Sequence, residues 1–154
     1  MLRISKLTDY GVVLMSFLAR HAQQACNAKE IAQATKINLP TVSKLLKLLA
    51  RNGFLTAQRG VNGGYSLAVS PKQISLAQII HALEGNIALT ECGHTQGLCV
   101  MEPQCMIRHN WQTISSAIGE TLRGISLAQM IAPITSQHVK HNLKKQLKIG
   151  VEVL

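Results

Sequence analysis

Residues 39–68 read LPTVSKLLKLLARNGFLTAQRGVNGGYSLA, and the fold turns on them. Pro40 suits the first position of a helix, where the backbone N–H has no intrahelical partner. Gly53 suits the left-handed residue that closes one. Val42, Leu45, Leu46 and Leu49 share roughly a third of the helical circumference and must face a core. Pro40, Thr41, Ser43, Lys44, Lys47 and Arg51 are left for the other sides. Beyond Gly53, residues 54–57 and 65–68 are short strand-like runs. Between them lie Arg59, Gly60, Asn62, Gly63 and Gly64, and Asn-Gly-Gly supplies the positive dihedrals of a hairpin tip.

Upstream, Asn27 and Glu30 form a capping-box pattern that opens a short helix, with Ile31 and Ala34 on its apolar face. A polar turn, residues 35–38, joins it to the next helix. Short helix, tight turn and a helix with a basic face make a helix-turn-helix; the basic hairpin after it makes a winged helix. In that arrangement Ser43 and Lys44, with Pro40 and Thr41 beside them, sit where base edges are read. Lys47 and Arg51 would meet phosphates, and Arg59 would enter a minor groove. Gly60, Asn62, Gly63, Gly64 and Tyr65 form the wing around Arg59 and let its backbone approach the duplex. An earlier helix over residues 8–21 carries Leu7, Tyr10, Leu14, Phe17, Leu18 and His21 at helical spacing. Ser5 or Thr8 caps it, and Asp9 suits its positive end.

Charge supports a polyanionic partner. The chain has 154 residues and a net charge of +9. Residues 1–70 hold nine Lys/Arg against two Asp/Glu; residues 71–154 hold seven against five. The chain is 47% hydrophobic but only 3% aromatic, so its core must be aliphatic. No apolar run is long enough to span a bilayer, and residues 1–10 lack the apolar stretch of a signal peptide, so a cytoplasmic location with no membrane partner is expected. In that compartment cysteines serve as metal ligands or reactive thiols more often than as disulfides.

Downstream, ISLAQII (residues 74–80) recurs as ISLAQMI (residues 125–131). Each copy is a Ser-x-x-Gln capping box that starts a helix, the first running to about Leu83 before Gly85. A long helix is predicted from about Gln104. Its stripe is Trp111, Ile114, Ile118, Leu122 and Ile125, with Ser115, Ala117 and Gly119 around it. A symmetric partner is expected on Trp111, Ile114, Ile118 and Leu122; packing onto the first helix is the alternative, and both can hold for different faces. After Pro133 the chain becomes a solvated basic tail, with His138, Lys140, His141, Lys144, Lys145 and Lys148.

Residues 92–109, CGHTQGLCVMEPQCMIRH, concentrate soft-ligand chemistry. Cys92, Cys99 and Cys105 are separated by six and five residues, which does not match the closely paired cysteines of structural zinc sites. Thiolates select soft metals and iron–sulfur clusters. Three thiolates leave one position open; His109 is the nearest candidate, with His94 weaker and Glu102 more distant. Redox thiols or a disulfide switch are the other reading of the same residues. Cys26 stands apart as a small semi-buried residue.

The opening LTDYGVVLM, the helix LPTVSKLLKLLARNGFL, the wing RGVNGGYSLA, the ALEG segment, the three cysteines and Trp111 six residues after Cys105 resemble the Rrf family of winged-helix iron–sulfur regulators (IscR- and NsrR-like). The resemblance covers roughly residues 1–132 and is nearest the branch regulating SUF-type iron–sulfur assembly. It implies a homodimer, operator binding by helix and wing, and a [2Fe–2S] cluster on Cys92, Cys99 and Cys105. IscR-like members place a histidine ligand three residues after the last cysteine. Here Arg108 holds that position and His109 follows it, turned by about 100° on a helix. Some NsrR-like members use an acidic residue of the first helix across the dimer, and Asp9 matches it as the alternative fourth ligand.

The expected fold is mainly α with a small β-hairpin wing. Residues 1–85 are a winged helix-turn-helix domain and residues 86–105 a cluster-binding loop. Residues 106–132 are a long dimerisation helix with a short capping helix, and residues 133–154 a basic tail. The expected function is a cluster-sensing repressor of iron–sulfur assembly genes that binds double-stranded DNA at a palindromic operator. A nitric-oxide or oxidative-stress sensor on the same scaffold is the alternative, and a scaffold that binds no DNA a distant third. No nucleophile–base set, phosphate loop or substrate motif points to an enzyme.

Overall fold

The computed structural model describes residues 4–60, 63–91, 99–101 and 104–134. Val61, Asn62, Cys92, His94, Glu102 and the tail beyond residue 134 lie outside the described residues.

Helix α1 (Lys6–Arg20) is capped by Ser5, whose Oγ accepts from the Thr8 N–H at 3.2 Å. It begins two residues before the predicted start. Leu14, Met15 and Leu18 are at most 1% exposed. Helix α2 (Ala28–Thr35) opens with the predicted capping box. The Asn27 side chain accepts from the Glu30 N–H at 3.0 Å, and the Glu30 carboxylate accepts from the Asn27 N–H at 2.9 Å. Lys36, at φ 59°, turns the chain, and Asn38 caps α3 (Leu39–Arg51) by accepting from the Thr41 N–H. Val42, Leu45, Leu46 and Leu49 are fully buried, as their spacing requires. Gly53 follows at φ 78°.

Strands β1 (Leu55–Gln58) and β2 (Gly64–Leu67) pair antiparallel, Leu55 opposite Leu67 and Gln58 opposite Gly64. Each is offset by one residue from the predicted run. Phe54 is not a strand residue because its N–H still bonds the Leu49 carbonyl, at 3.1 Å, in the closure of α3. The main core is aliphatic, with α1 packed against α2, α3, β2 and the helices Leu76–Glu84 and Leu127–Met130.

Helix α4 (Leu76–Glu84) ends at Gly85, as predicted. Helix α5 (Arg108–Arg123) starts four residues later than predicted. The Gln104 N–H bonds the Met101 carbonyl in a turn, so Cys105 stays outside the helix. Helix α6 (Leu127–Met130) is a single turn.

The repeated sequence has a spatial counterpart. Ser75 and Ser126 form an isolated antiparallel bridge. The Leu76 N–H donates to the Ile125 carbonyl and the Leu127 N–H to the Ile74 carbonyl, each at 2.8 Å. Both capping boxes form, so the two copies make a near-symmetric clasp between the start of α4 and the start of α6. Ile74 and Leu127 enter the main core, while Leu76 and Ile125 enter a smaller cluster with Ile80.

The α5 stripe divides. Leu122 and Ile125 join that smaller cluster, whereas Trp111 and Ile114 are 36% and 45% exposed. The residues that α5 buries are the small ones, Ser115 and Gly119, on the side where α5 meets α4. The Ser115 hydroxyl accepts from the Leu89 N–H at 3.2 Å, tying the chain after α4 to mid-α5.

Glu84 joins the end of α4 to the start of α1. Its carboxylate accepts from the Ser5 N–H at 3.0 Å. Hydrogen bonds from the Ser5 and then the Thr8 side chain hold its pKa below the ordinary carboxylate value, outweighing a small opposing effect of burial. A depressed pKa contributes stability that is present above the unfolded value, about 4.3, and is lost as pH falls through the folded value. Glu84→Gln is therefore expected to lower Tm at pH 7 by about 1–3 °C, since the group is exposed. Thermal denaturation of both proteins from pH 7 to pH 3 should show the two curves converging at the acid end.

Candidate nucleic-acid interface and cysteine loop

The surface of α3 opposite its core face carries Pro40, Lys44, Lys47 and Arg51, all exposed, with Thr41 and Ser43 half-buried at its margins. Leu39, at the tip, is 38% exposed. Lys44, Lys47, Arg51 and Arg59 have no carboxylate partner among the described residues; the ion pair there joins Arg123 to Glu120. Four cations thus stand unneutralised on one helix and the adjacent hairpin, the requirement for binding a phosphate backbone.

The wing is set by backbone packing. Gly60 takes φ 117°, so it provides the positive dihedral at the described part of the tip. Gly63 and Gly64 do not, contrary to the expectation for Asn-Gly-Gly. They are needed for close approach. A Cβ on Gly63 would meet the Gln58 carbonyl oxygen at 2.5 Å, and one on Gly64 would meet the Cys26 carbonyl carbon and oxygen at 2.6 Å. The Cys26 and Tyr65 backbones exchange hydrogen bonds of 3.0 and 2.9 Å. The segment before α2 therefore acts as a third strand that fixes the hairpin to the helix-turn-helix. Cys26 is 5% exposed, and burial, then the Glu30 charge, push its thiol pKa up, which suits an inert packing residue.

Cys99 and Cys105 are free, partly exposed thiols in irregular backbone just before α5. His109 is exposed in the first turn of α5, with its carbonyl accepting from the Thr113 hydroxyl. Asp9 is exposed in the first turn of α1, where it lines a cavity of about 400 Å³ with Lys6, Tyr10 and Leu76. Among the described residues no three His, Cys, Asp or Glu side chains gather at one point, and Cys92 lies outside those residues.

The chain and its fold have known counterparts. The Rrf2 family, described as iron-dependent transcriptional regulators, matches residues 4–133. The chain belongs to the Rrf2 family. Among relatives, the regulator IscR of Aliivibrio salmonicida is 30% identical over 152 residues, covering 95% of this chain and 90% of its own. The regulator NsrR of Geobacillus kaustophilus is 30% identical over 132 residues, covering 84% and 90%. Among solved structures, CymR, the global cysteine regulator of B. subtilis, superposes with a TM-score of 0.68 at 30% identity, covering 85% of this chain and 97% of its own. IscR of T. potens gives 0.67 at 29%, covering 84% and 86%. This Rrf2 chain is therefore a DNA-binding transcriptional regulator with a winged-helix fold, and not an enzyme.

Two features escaped the sequence reading. The anchoring of the wing by Cys26 is a pairing across almost forty residues, which no local pattern encodes. Leu39, to which the sequence reading gave no role, is the first residue of α3 and is exposed. The wing packing carries a direct expectation. Gly64→Ala puts a methyl against backbone that has no rotamer to escape into, and should destabilise the fold by about 1–3 kcal/mol. Urea denaturation of the two proteins measures it.

Proposed function

We propose that this chain is a homodimeric cytoplasmic repressor of iron–sulfur assembly genes whose operator affinity depends on a [2Fe–2S] cluster. One observation carries the reading: two free, partly exposed thiols, six positions apart, stand in irregular chain at the foot of a helix that packs on the DNA-binding unit. That donor set fits the group, since thiolates are its usual ligands. Cys92, Cys99 and Cys105 would hold it with His109 as fourth ligand, or Asp9 of the partner subunit. When bound, the cluster supplies a centre that responds to iron supply, oxidants or nitric oxide.

The protein's own residues do the rest. α3 enters the major groove of a palindromic site with Ser43 and Lys44 toward the bases and Lys47 and Arg51 toward phosphates. The wing brings Arg59, Gly60, Asn62, Gly63, Gly64 and Tyr65 to the neighbouring minor groove. Trp111, Ile114, Ile118 and Leu122 pair α5 with its copy; the exposure of Trp111 and Ile114 supports this for the first half of the helix. Fixing the segment before Arg108 fixes the entry of α5, and hence the spacing of the two recognition helices. A coupling of about 1–3 kcal/mol between cluster state and DNA affinity is typical of such linkage.

Anaerobically purified protein should be coloured, with visible absorption that Cys99→Ala and Cys105→Ala remove. Footprints of apo and reconstituted protein on the same operator should differ. A colourless protein with stoichiometric zinc and unaltered DNA binding would sink the cluster reading. The sensor alternative is separated by treating holo-protein with nitric oxide and, independently, starving cells of iron: loss of repression only with the gas identifies the gas as signal. Arg59→Ala should weaken operator binding and relax minor-groove preference. Lys47→Ala should weaken all sequences about equally and lower the salt slope by about 1. Titrations at several salt concentrations distinguish the two effects.

A further inference from the structure

We propose that the tip of α3 selects its operator by apolar contact with thymine methyl groups, made by Leu39 and Pro40. The inference rests on α3 being the helix that enters the major groove, and it names the chemistry read there. The tip is poor in groups that pair bidentately with a base edge. The Asn38 side-chain oxygen is engaged in capping, accepting from the Thr41 N–H at 2.9 Å. Thr41 and Ser43 are half-buried hydroxyl residues, a type that pairs with several bases and discriminates little. Residues 38–44 contain no arginine or glutamine, so Lys44 is the one exposed long donor of the first two turns.

The same tip exposes apolar surface. Leu39 is 38% exposed and stands outside the core cluster, and Pro40 beside it is exposed too. A single exposed leucine means little on a protein surface. Here it adjoins a rigid proline ring that has no N–H, so Pro40 itself can lose its water without orphaning a donor. The C5-methyl of thymine is the apolar feature that base edges present in the major groove, and it separates A·T pairs from G·C pairs. Leu39 and Pro40 would bury that methyl while Lys44 takes a polar edge or phosphate nearby.

The test uses the full-length protein and a duplex that it selects from a random library, at one fixed ionic strength. Each thymine in the selected site is replaced in turn by deoxyuridine, which removes only the methyl group. At the contacted positions Kd should rise about fourfold per methyl removed. Leu39→Ala and Pro40→Ala should bind the thymine duplex more weakly and no longer distinguish it from the deoxyuridine duplex. Lys47→Ala, by contrast, should weaken both duplexes alike. Deoxyuridine duplexes that all bind as tightly as the parent would overturn the proposal, as would a penalty that persists in both tip variants. A protein that prefers no duplex over random DNA would overturn the reading of α3 itself, and this inference with it.

Discussion

Two backbone hydrogen bonds hold residues 74–76 to residues 125–127, and the arrangement of everything between them depends on that junction. Closing a loop of about fifty residues costs on the order of 3–4 kcal/mol in chain entropy. The two hydrogen bonds contribute only about 0.5–1.5 kcal/mol each. Burial of Ile74, Leu76, Ile125 and Leu127, at about 1.5–3 kcal/mol per side chain, outweighs the closure cost. The hydrogen bonds supply register. They oblige the chain to leave the DNA-binding unit at the start of α4 and return to the same place after α5.

That constraint bears on the proposed cysteine site. The chain between α4 and α5 is held near its base by the Leu89–Ser115 hydrogen bond, and Ser115 and Gly119 of α5 line a cavity of about 390 Å³ with Ala77 and His81 of α4. α4 also touches α1 and α3, so a change in how α5 sits on α4 bears directly on the recognition helix. The wing is tied to the same body by a separate route, through Cys26 and Gly64. Helix and wing are thereby two parts of one reader, to which α5 is joined through α4.

Local chemistry was legible in the sequence wherever it acts over a few residues. The Asn27, Ser75 and Ser126 capping boxes, the stop at Gly53 and the buried row of α3 follow from spacing alone, and the structure has each of them. Contacts between distant segments were not legible. The two Ile-Ser-Leu-Ala-Gln copies read as independent helix starts, although they pair with each other, because sequence gives no distance between residues 75 and 126. The wing glycines read as turn-formers, yet Gly63 and Gly64 are required by what lies against them. The α5 stripe read as one surface because periodicity reports a face without saying what covers it; α4 covers its far end and not Trp111 or Ile114. Of the candidate cluster ligands, Cys105, which a helix from Gln104 would include, lies before α5, and His109 lies in its first turn.

The same distinction bears on the fourth ligand. Because α5 begins at Arg108, Arg108 and His109 are its first two residues and Cys105 lies in the turn before it. A histidine there is carried by a helix that packs on α4, whereas Cys105 is carried by irregular backbone. Asp9 is likewise on a helix, at the end of α1 that Glu84 and Ser5 secure. Both candidates are thus offered by helices, whereas Cys105 lies in irregular backbone. In the proposed site the fourth ligand would tie the cluster to a helix: α5 of the same chain for His109, or α1 of the partner subunit for Asp9. The first would couple the cluster to the dimer helix alone. The second would couple it to the spacing between the two readers, which is the quantity that operator binding senses.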